Sequence, residues 1–211
     1  MPVAKRFRMP QSNPSGGNTE ISSNGVFWYS YSFGNVHTTV ISTEHDLTLG
    51  SPQHSWLEAD LASVDRSVTP WLIVEMHRPM YKWGGNWASD KVALHMRNEI
   101  ERLLLNYKVD VVLSGHYHTY FRSCDGMFRN RCNHGGPMYL TIGTAGAKVG
   151  NNIIFATDHR SQKTITGEYG YGRVTVYNAS ALHFEFVEAG PSDNSNPGQV
   201  LDDVWIRRKR S

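Results

Sequence analysis

The chain has 211 residues and carries 21 lysines and arginines against 19 acidic residues, a net charge of +2, so nothing general draws it to nucleic acid. Apolar residues make up 39% and aromatic residues 11%, which excludes a disordered chain and suffices for one domain with a sizeable core. No run of about 18 apolar residues occurs, which excludes a transmembrane helix.

Residues 1–25 are rich in Pro, Gly, Ser and Asn without apolar periodicity, and read as a loop or truncated edge. The charges from Met1 to Arg8 have no apolar stretch behind them, so no signal peptide is expected in this chain. Val26–Phe33 and Val36–Ser42 are β-rich runs split by Gly34-Asn35, a hairpin signal. Thr43-Glu44-His45-Asp46 follows at a strand end, where His45 and Asp46 are expected to order the loop. Ser51-Pro52 predicts a helix start, Ser as N-cap and Pro at the first helical position, with Trp56, Leu57, Leu61 and Val64 on one face to about Asp65.

Trp71-Leu72-Ile73-Val74-Glu75-Met76 is an apolar strand that ends in His77-Arg78-Pro79. The loop Trp83–Trp87 leads to a second helix, capped near Ser89 or Asp90, whose Val92, Met96, Ile100, Leu103, Leu104 and Tyr107 recur at helical spacing. His95 falls within that stripe and reads as structural. Val109–Leu113 is a second buried strand, ending in Ser114-Gly115-His116-Tyr117-His118. Gly115 is expected to supply the unusual backbone angles of this turn. On an extended segment His116 and His118 would project to one side, as two ligands of one metal or of adjacent metals.

Two strands that each deliver histidine at the C-terminal end describe a site at the carboxyl edge of an α/β sheet. The strand-helix-strand-helix-strand order implies parallel crossovers. Met138–Ile142, Gly172–Tyr177 and Leu182–Val187 then read as strands without helices between them, and the alternation around His183 places it on a wet face. Asn178-Ala179-Ser180 matches a glycosylation sequon. Cys124 and Cys132 could close a disulfide loop or be two unrelated thiols. Residues 191–211 read as a polar, extended tail ending in the basic run Arg207–Arg210.

Val74-Glu75-Met76-His77 and Gly115-His116-Tyr117-His118 resemble the last two metal-ligand blocks of the metallophosphatases. Thr69–Val74, His77–Tyr81, Gly115–Tyr120, Gly172–Val176 and Ala181–Phe186 resemble purple acid phosphatases, and the likeness runs from about Pro2 to Trp205. The earlier family blocks Gly-Asp-x-Gly, Gly-Asp-x-x-Tyr and Gly-Asn-His-Glu are not present: no Gly precedes Asp, and Gly17-Asn18 runs on into Thr19. The family's pair of leaving-group histidines is replaced by Asn86 and Trp87.

The resemblance implies an α/β (α+β) class, a metallophosphatase-like β-sandwich flanked by helices. This chain would supply the C-terminal half of that four-layer fold, with exposed apolar surface. It implies a partial metallophosphatase domain over residues 26–190, with the C-terminal segment of the family at about 135–190. It also implies phosphomonoester hydrolysis at a site of Fe(III) and a divalent Zn, Mn or Fe. His77 and His116 would bind the divalent metal and His118 the ferric ion, with Arg78, Tyr117 and Arg122 as candidates for substrate contact. This chain would hold at most part of that site, completed by a missing N-terminal half or a homodimer partner, or else it is a non-catalytic metal-binding relative. A secreted or vacuolar location, a Cys124–Cys132 bridge and a glycan on Asn178 complete the expectations.

Overall fold

The computed structural model describes residues 5–10, 23–81, 87–146, 160–190 and 196–208, with the side chains of residues 87–90 left aside. Most of the predicted N-terminal loop, the Trp83–Asn86 loop, the capping side chains of Ser89 and Asp90, and the end of the basic run lie outside the described residues.

Strands β1 (Tyr29–Phe33) and β2 (Val36–Ile41) form the predicted hairpin, with Gly34 in the left-handed region at φ +55°. Helix α1 (Pro52–Ser63) starts where Ser51 and Pro52 placed it: Ser51 Oγ accepts the His54 N–H at 3.2 Å. Strand β3 (Trp71–Met76), helix α2 (Trp87–Asn106) and strand β4 (Val111–Ser114) follow, so α2 begins before the expected Ser89 or Asp90 cap. The remaining strands are β5 (Tyr120–Ser123), β6 (Met138–Ile142), β7 (Ser161–Ile165), β8 (Gly170–Asn178), β9 (Ala181–Glu188) and β10 (Val200–Arg207).

A seven-stranded sheet has the order β1-β2-β3-β4-β6-β5-β7, and a three-stranded sheet the order β10-β9-β8. β2, β3, β4 and β6 run parallel, so α1 and α2 are the expected crossovers and lie on one face. Alternation along each strand then builds two cores. Leu72, Val74 and Val112 meet Trp56, Leu57, Met96, Ile100 and Leu104 under the helices. Trp71, Ile73, Val111, Met138 and Leu140 meet Leu182, Phe184 and Phe186 of the small sheet. The described residues thus form three layers, helices on sheet on sheet, where the sequence reading implied part of a four-layer arrangement. Both helices are same-handed crossovers, so no described helix covers the outer face of the small sheet.

Three strands were not expected. β5 is only four residues long, β7 (Ser-Gln-Lys-Thr-Ile) is a polar edge strand, and β10 hides among the polar residues read as tail. β10 carries Asp202 and Asp203 mid-strand, and their partners come from distant segments: Asp202 takes Arg122 at 2.7 Å and Asp203 takes His183 at 3.1 Å. His183 is accordingly stacked on Trp205, its side chain only 14% exposed rather than on an open face. The bridge alternative is realised: Cys124 and Cys132 are disulfide-bonded with Cα atoms 5.7 Å apart. Exposed large apolar side chains are spread over the described residues. Tyr31 and Phe33 of β1 and Val174 of β8 lie, by register, on the inter-sheet side yet remain exposed.

Asp60 is a buried carboxylate on α1 that accepts hydrogen bonds from Ser30 Oγ and from Thr39 Oγ1 (2.7 Å), with His37 Nε2 at 3.2 Å. It ties α1 to β1 and β2, and the loop that leaves β2 carries Glu44. Removing it strands buried hydroxyls, so Asp60→Ala is expected to destabilise the chain by about 3 kcal/mol, read as a shift of the urea midpoint.

Candidate functional site

Strands β3 and β4 end level, with Met76 opposite Ser114, and the Gly115 N–H donates to the His77 carbonyl at 3.0 Å. This bond carries the pairing one step past the strands, so the segments bearing histidine leave the sheet side by side. The chain then turns tightly, the Tyr117 N–H reaching the Gly115 carbonyl at 2.7 Å. The left-handed residue in this turn is His116, at φ +64°, and not Gly115 as expected. His116–His118 is therefore no extended segment, and period-two projection does not explain how the rings meet. The left-handed backbone at His116, uncommon for a residue other than glycine, aims its ring. The turn rests on Gly143: a Cβ there would lie 1.8 Å from the Tyr117 carbonyl oxygen.

The result is a convergence. His77 Nε2 and His116 Nδ1 are 3.1 Å apart, their rings nearly perpendicular. His116 Nε2 faces Arg78 Nη1 at 3.3 Å. His118 lines the same open cleft of about 590 Å³, with Ile142, Gly143 and Ala145. Tyr117 packs edge-on against His116 with centroids 5.1 Å apart. Burial, and then the charge of Arg78, hold the His116 imidazole below its ordinary value, which favours the neutral ring a metal ligand needs.

Arg78 is itself held in a fork. Its Nε donates to Glu44 Oε1 at 2.6 Å and its Nη2 to Oε2 at 3.2 Å, while its backbone N–H donates to Thr43 Oγ1 at 3.1 Å. The bond to Arg78 pulls the Glu44 carboxyl below the usual range. Glu44 is the residue of this edge whose role the sequence left unassigned; a carboxylate two residues past a strand end was the available signal. Its neighbours order the loop as expected: His45 packs on Phe27 and Trp28, and Asp46 accepts the Thr48 N–H at 2.9 Å.

Arg122 does not join the histidines. Its guanidinium forks onto Asp202 (2.7 and 3.0 Å), which also accepts from Tyr120 Oη at 2.7 Å, so it ties the two sheets together. The reason is β10, which brings Asp202 to it. His95 is half-exposed beside Glu99 and remote in sequence from the cleft. Asn178 sits at the exposed β8–β9 turn, with Oδ1 accepting from the Ser180 N–H and hydroxyl.

Two imidazole nitrogens on one ion, at metal–nitrogen distances of about 2.0–2.1 Å and tetrahedral angles, stand about 3.3 Å apart. The 3.1 Å separation of His77 and His116, a hydrogen bond between the rings here, is close to that spacing, so a small displacement would let both nitrogens reach one ion. The dinuclear set is not fitted: among the described residues no group of three or more His, Cys, Asp or Glu is placed to hold a metal.

The profile of the calcineurin-like phosphoesterases matches residues 7–120, and that of the iron/zinc purple acid phosphatase-like C-terminal region matches residues 136–203. Purple acid phosphatase 22 of Arabidopsis thaliana is 33% identical over 190 residues, 90% of this chain and 42% of that protein. Probable inactive purple acid phosphatase 9 of the same plant is 38% identical over 98% of this chain and 32% of its own length. The solved purple acid phosphatase PPD1 of yellow lupin (Lupinus luteus) seeds superposes with a TM-score of 0.79 at 28% identity, over 98% of this chain and 35% of that one. This chain spans less than half the length of these relatives.

Proposed function

Because this chain belongs to the calcineurin-like phosphoesterases, and among them to the purple acid phosphatases, we propose that it forms the histidine-bearing part of a metal-dependent phosphomonoesterase. The observation that carries this reading is the 3.1 Å approach of His77 and His116 at the carboxyl edge of the sheet. His77 and His116 would hold a divalent ion (zinc, manganese or iron), and His118 would contribute to a ferric site whose remaining ligands are not found among the described residues. When bound, such a pair supplies a hydroxide and neutralises charge that develops on the phosphoryl oxygens.

The chain's own residues do the rest. His116 Nδ1, which carries a proton while Nε2 accepts from Arg78, would exchange that proton for a metal, and Arg78, held in its fork by Glu44, would offer its second Nη1 hydrogen to a phosphate oxygen beside His116. Tyr117 buttresses the His116 ring edge-on. The disulfide suits an oxidising compartment, and the exposed sequon at Asn178 suits glycosylation there, so we place the protein outside the cell or in the vacuole. No described helix is long and apolar enough to cross a membrane.

A second reading has its own support. No group of three or more ligating side chains forms around the pair among the described residues, and two relatives are named probable inactive. On that reading the chain binds metal without turnover, or is completed by another polypeptide. Elemental analysis and p-nitrophenyl phosphate hydrolysis in mildly acidic buffer, on one sample, test both. Metal together with hydrolysis is the expected result for the phosphomonoesterase; metal without hydrolysis favours the second reading, and absence of metal overturns the first and leaves only completion by another polypeptide.

A further inference from the structure

A second cleft, of about 440 Å³, opens at the opposite edge of the large sheet, at the N-terminal ends of β4 and β6. Its volume lies within the range of about 300–1,000 Å³ usual for small-molecule sites. From Asp110 at this edge to Gly115 at the other, the chain runs about 16 Å at the rise of a strand, so the cleft is separate from the histidines.

Its lining is basic. Arg66, Lys108, Arg207 and Arg208 stand against Asp110 and Asp125, an excess of two positive charges. Asp110 is already committed: its Oδ2 accepts from Arg66 Nη2 at 2.6 Å and from the Leu72 N–H at 2.8 Å, and Arg208 Nε stands 3.8 Å from its Oδ1. What remains is unanswered donor capacity. Arg66 Nη1 is buried and has no acceptor among the described residues. The Lys108 ammonium, at the exposed end of α2, has no ion-pair partner among them. Burial lowers the proton affinity of Arg66 despite Asp110, and the charge of Arg208 adds to that depression. A simple staple between loop and C-terminal strand would use Arg66 Nη2 and Arg208 Nε; it leaves Lys108 without a role.

We propose that this cleft binds a phosphate dianion, as orthophosphate or as the phosphate group of a small ester, between Lys108 and Arg208, with the charge of Arg66 behind them. A tetrahedral dianion matches the charge excess and offers several acceptors to forked guanidinium donors at once. Gly126, Gly135 and Gly136 line the same cleft; a Cβ at Gly136 would meet the Met127 carbonyl oxygen at 1.9 Å, so close loop packing accounts for that glycine. The basic run at the C-terminus thereby has a task beyond solvation: Arg208 is anchored by its N–H to the Ser180 carbonyl at 3.1 Å and by Nη1 to Ala179 O at 3.3 Å, which fixes it at the mouth.

The test is a titration of orthophosphate into the whole chain at constant ionic strength, followed by amide-resolved NMR. Gly126 and Gly135 report on this cleft, and Gly115 and Gly143 on the histidine edge. The expected result is a saturable shift at Gly126 and Gly135, with the dissociation constant raised at least about tenfold in the Lys108→Gln, Arg208→Gln double variant. Both side chains reach solvent, and unchanged signals from the histidine edge verify that the variant is folded. A sugar phosphate that binds more tightly than orthophosphate assigns the site to esters, and one that binds no better assigns it to the free ion; either upholds the phosphate site. Shifts confined to Gly115 and Gly143, equal shifts from chloride alone, or an unchanged constant in the folded variant would overturn it.

Discussion

Gly143→Ala is expected to be among the most damaging single-methyl additions in this chain. The new Cβ would fall 1.8 Å from the Tyr117 carbonyl oxygen, 2.6 Å from its carbon and 3.3 Å from the His118 nitrogen. Those are backbone atoms, so no side chain can swing aside; the His116–His118 turn itself must move. The cost is about 3 kcal/mol or more, and the geometry that sets His116 against His77 goes with it. Gly115→Ala is the matched control in the same turn. There the nearest atom to an added Cβ is the His77 carbonyl oxygen at 3.9 Å, an ordinary contact, and φ is not in the left-handed region. Its stability change is expected to stay within about 1 kcal/mol. Urea midpoints measured side by side decide the matter: equal effects of the two substitutions would mean that the turn does not rest on Gly143.

His116→Ala is expected to remove metal binding while sparing the fold. His116 is the hub of the cleft, with His77 on Nδ1 and Arg78 on Nε2. It is only partly buried, and its backbone already bears the cost of the left-handed region, which alanine inherits unchanged. Loss of a direct ligand should exceed the 10- to 100-fold loss that follows removal of groups one shell out, so affinity is expected to fall by at least about 100-fold. Zinc titration of wild type and variant, with thermal melts on both, reads this directly. If the variant keeps its metal, the ion sits on groups other than the histidine pair, and the proposed function loses its footing. Any phosphatase activity should fall in step with metal occupancy.

Much of this was written in local residue chemistry. Ser51-Pro52 specifies the start of α1, Gly34 the hairpin turn, and the apolar runs Trp71–Met76 and Val111–Leu113 the two central strands, because capping, turn and burial preferences act within a few residues. The parallel order followed from the alternation of strand and helix, and the histidines at both strand ends followed from that order. The family, too, could be read from motifs of six residues or fewer.

Tertiary structure decided what depends on partners far apart in the chain. β10 was hidden because Asp202 and Asp203 look unsuited to a strand until Arg122 and His183 are brought beside them, and the same pairing removes Arg122 from the cleft. Asp60 on α1 gave no sign of burial, since its hydroxyl donors lie on β1 and β2. Above all, the left-handed turn fell on His116 and not on Gly115. A sequence says which residue adopts that conformation most cheaply; only the packing of Gly143 beneath the turn and the bond from Gly115 to His77 show which residue must.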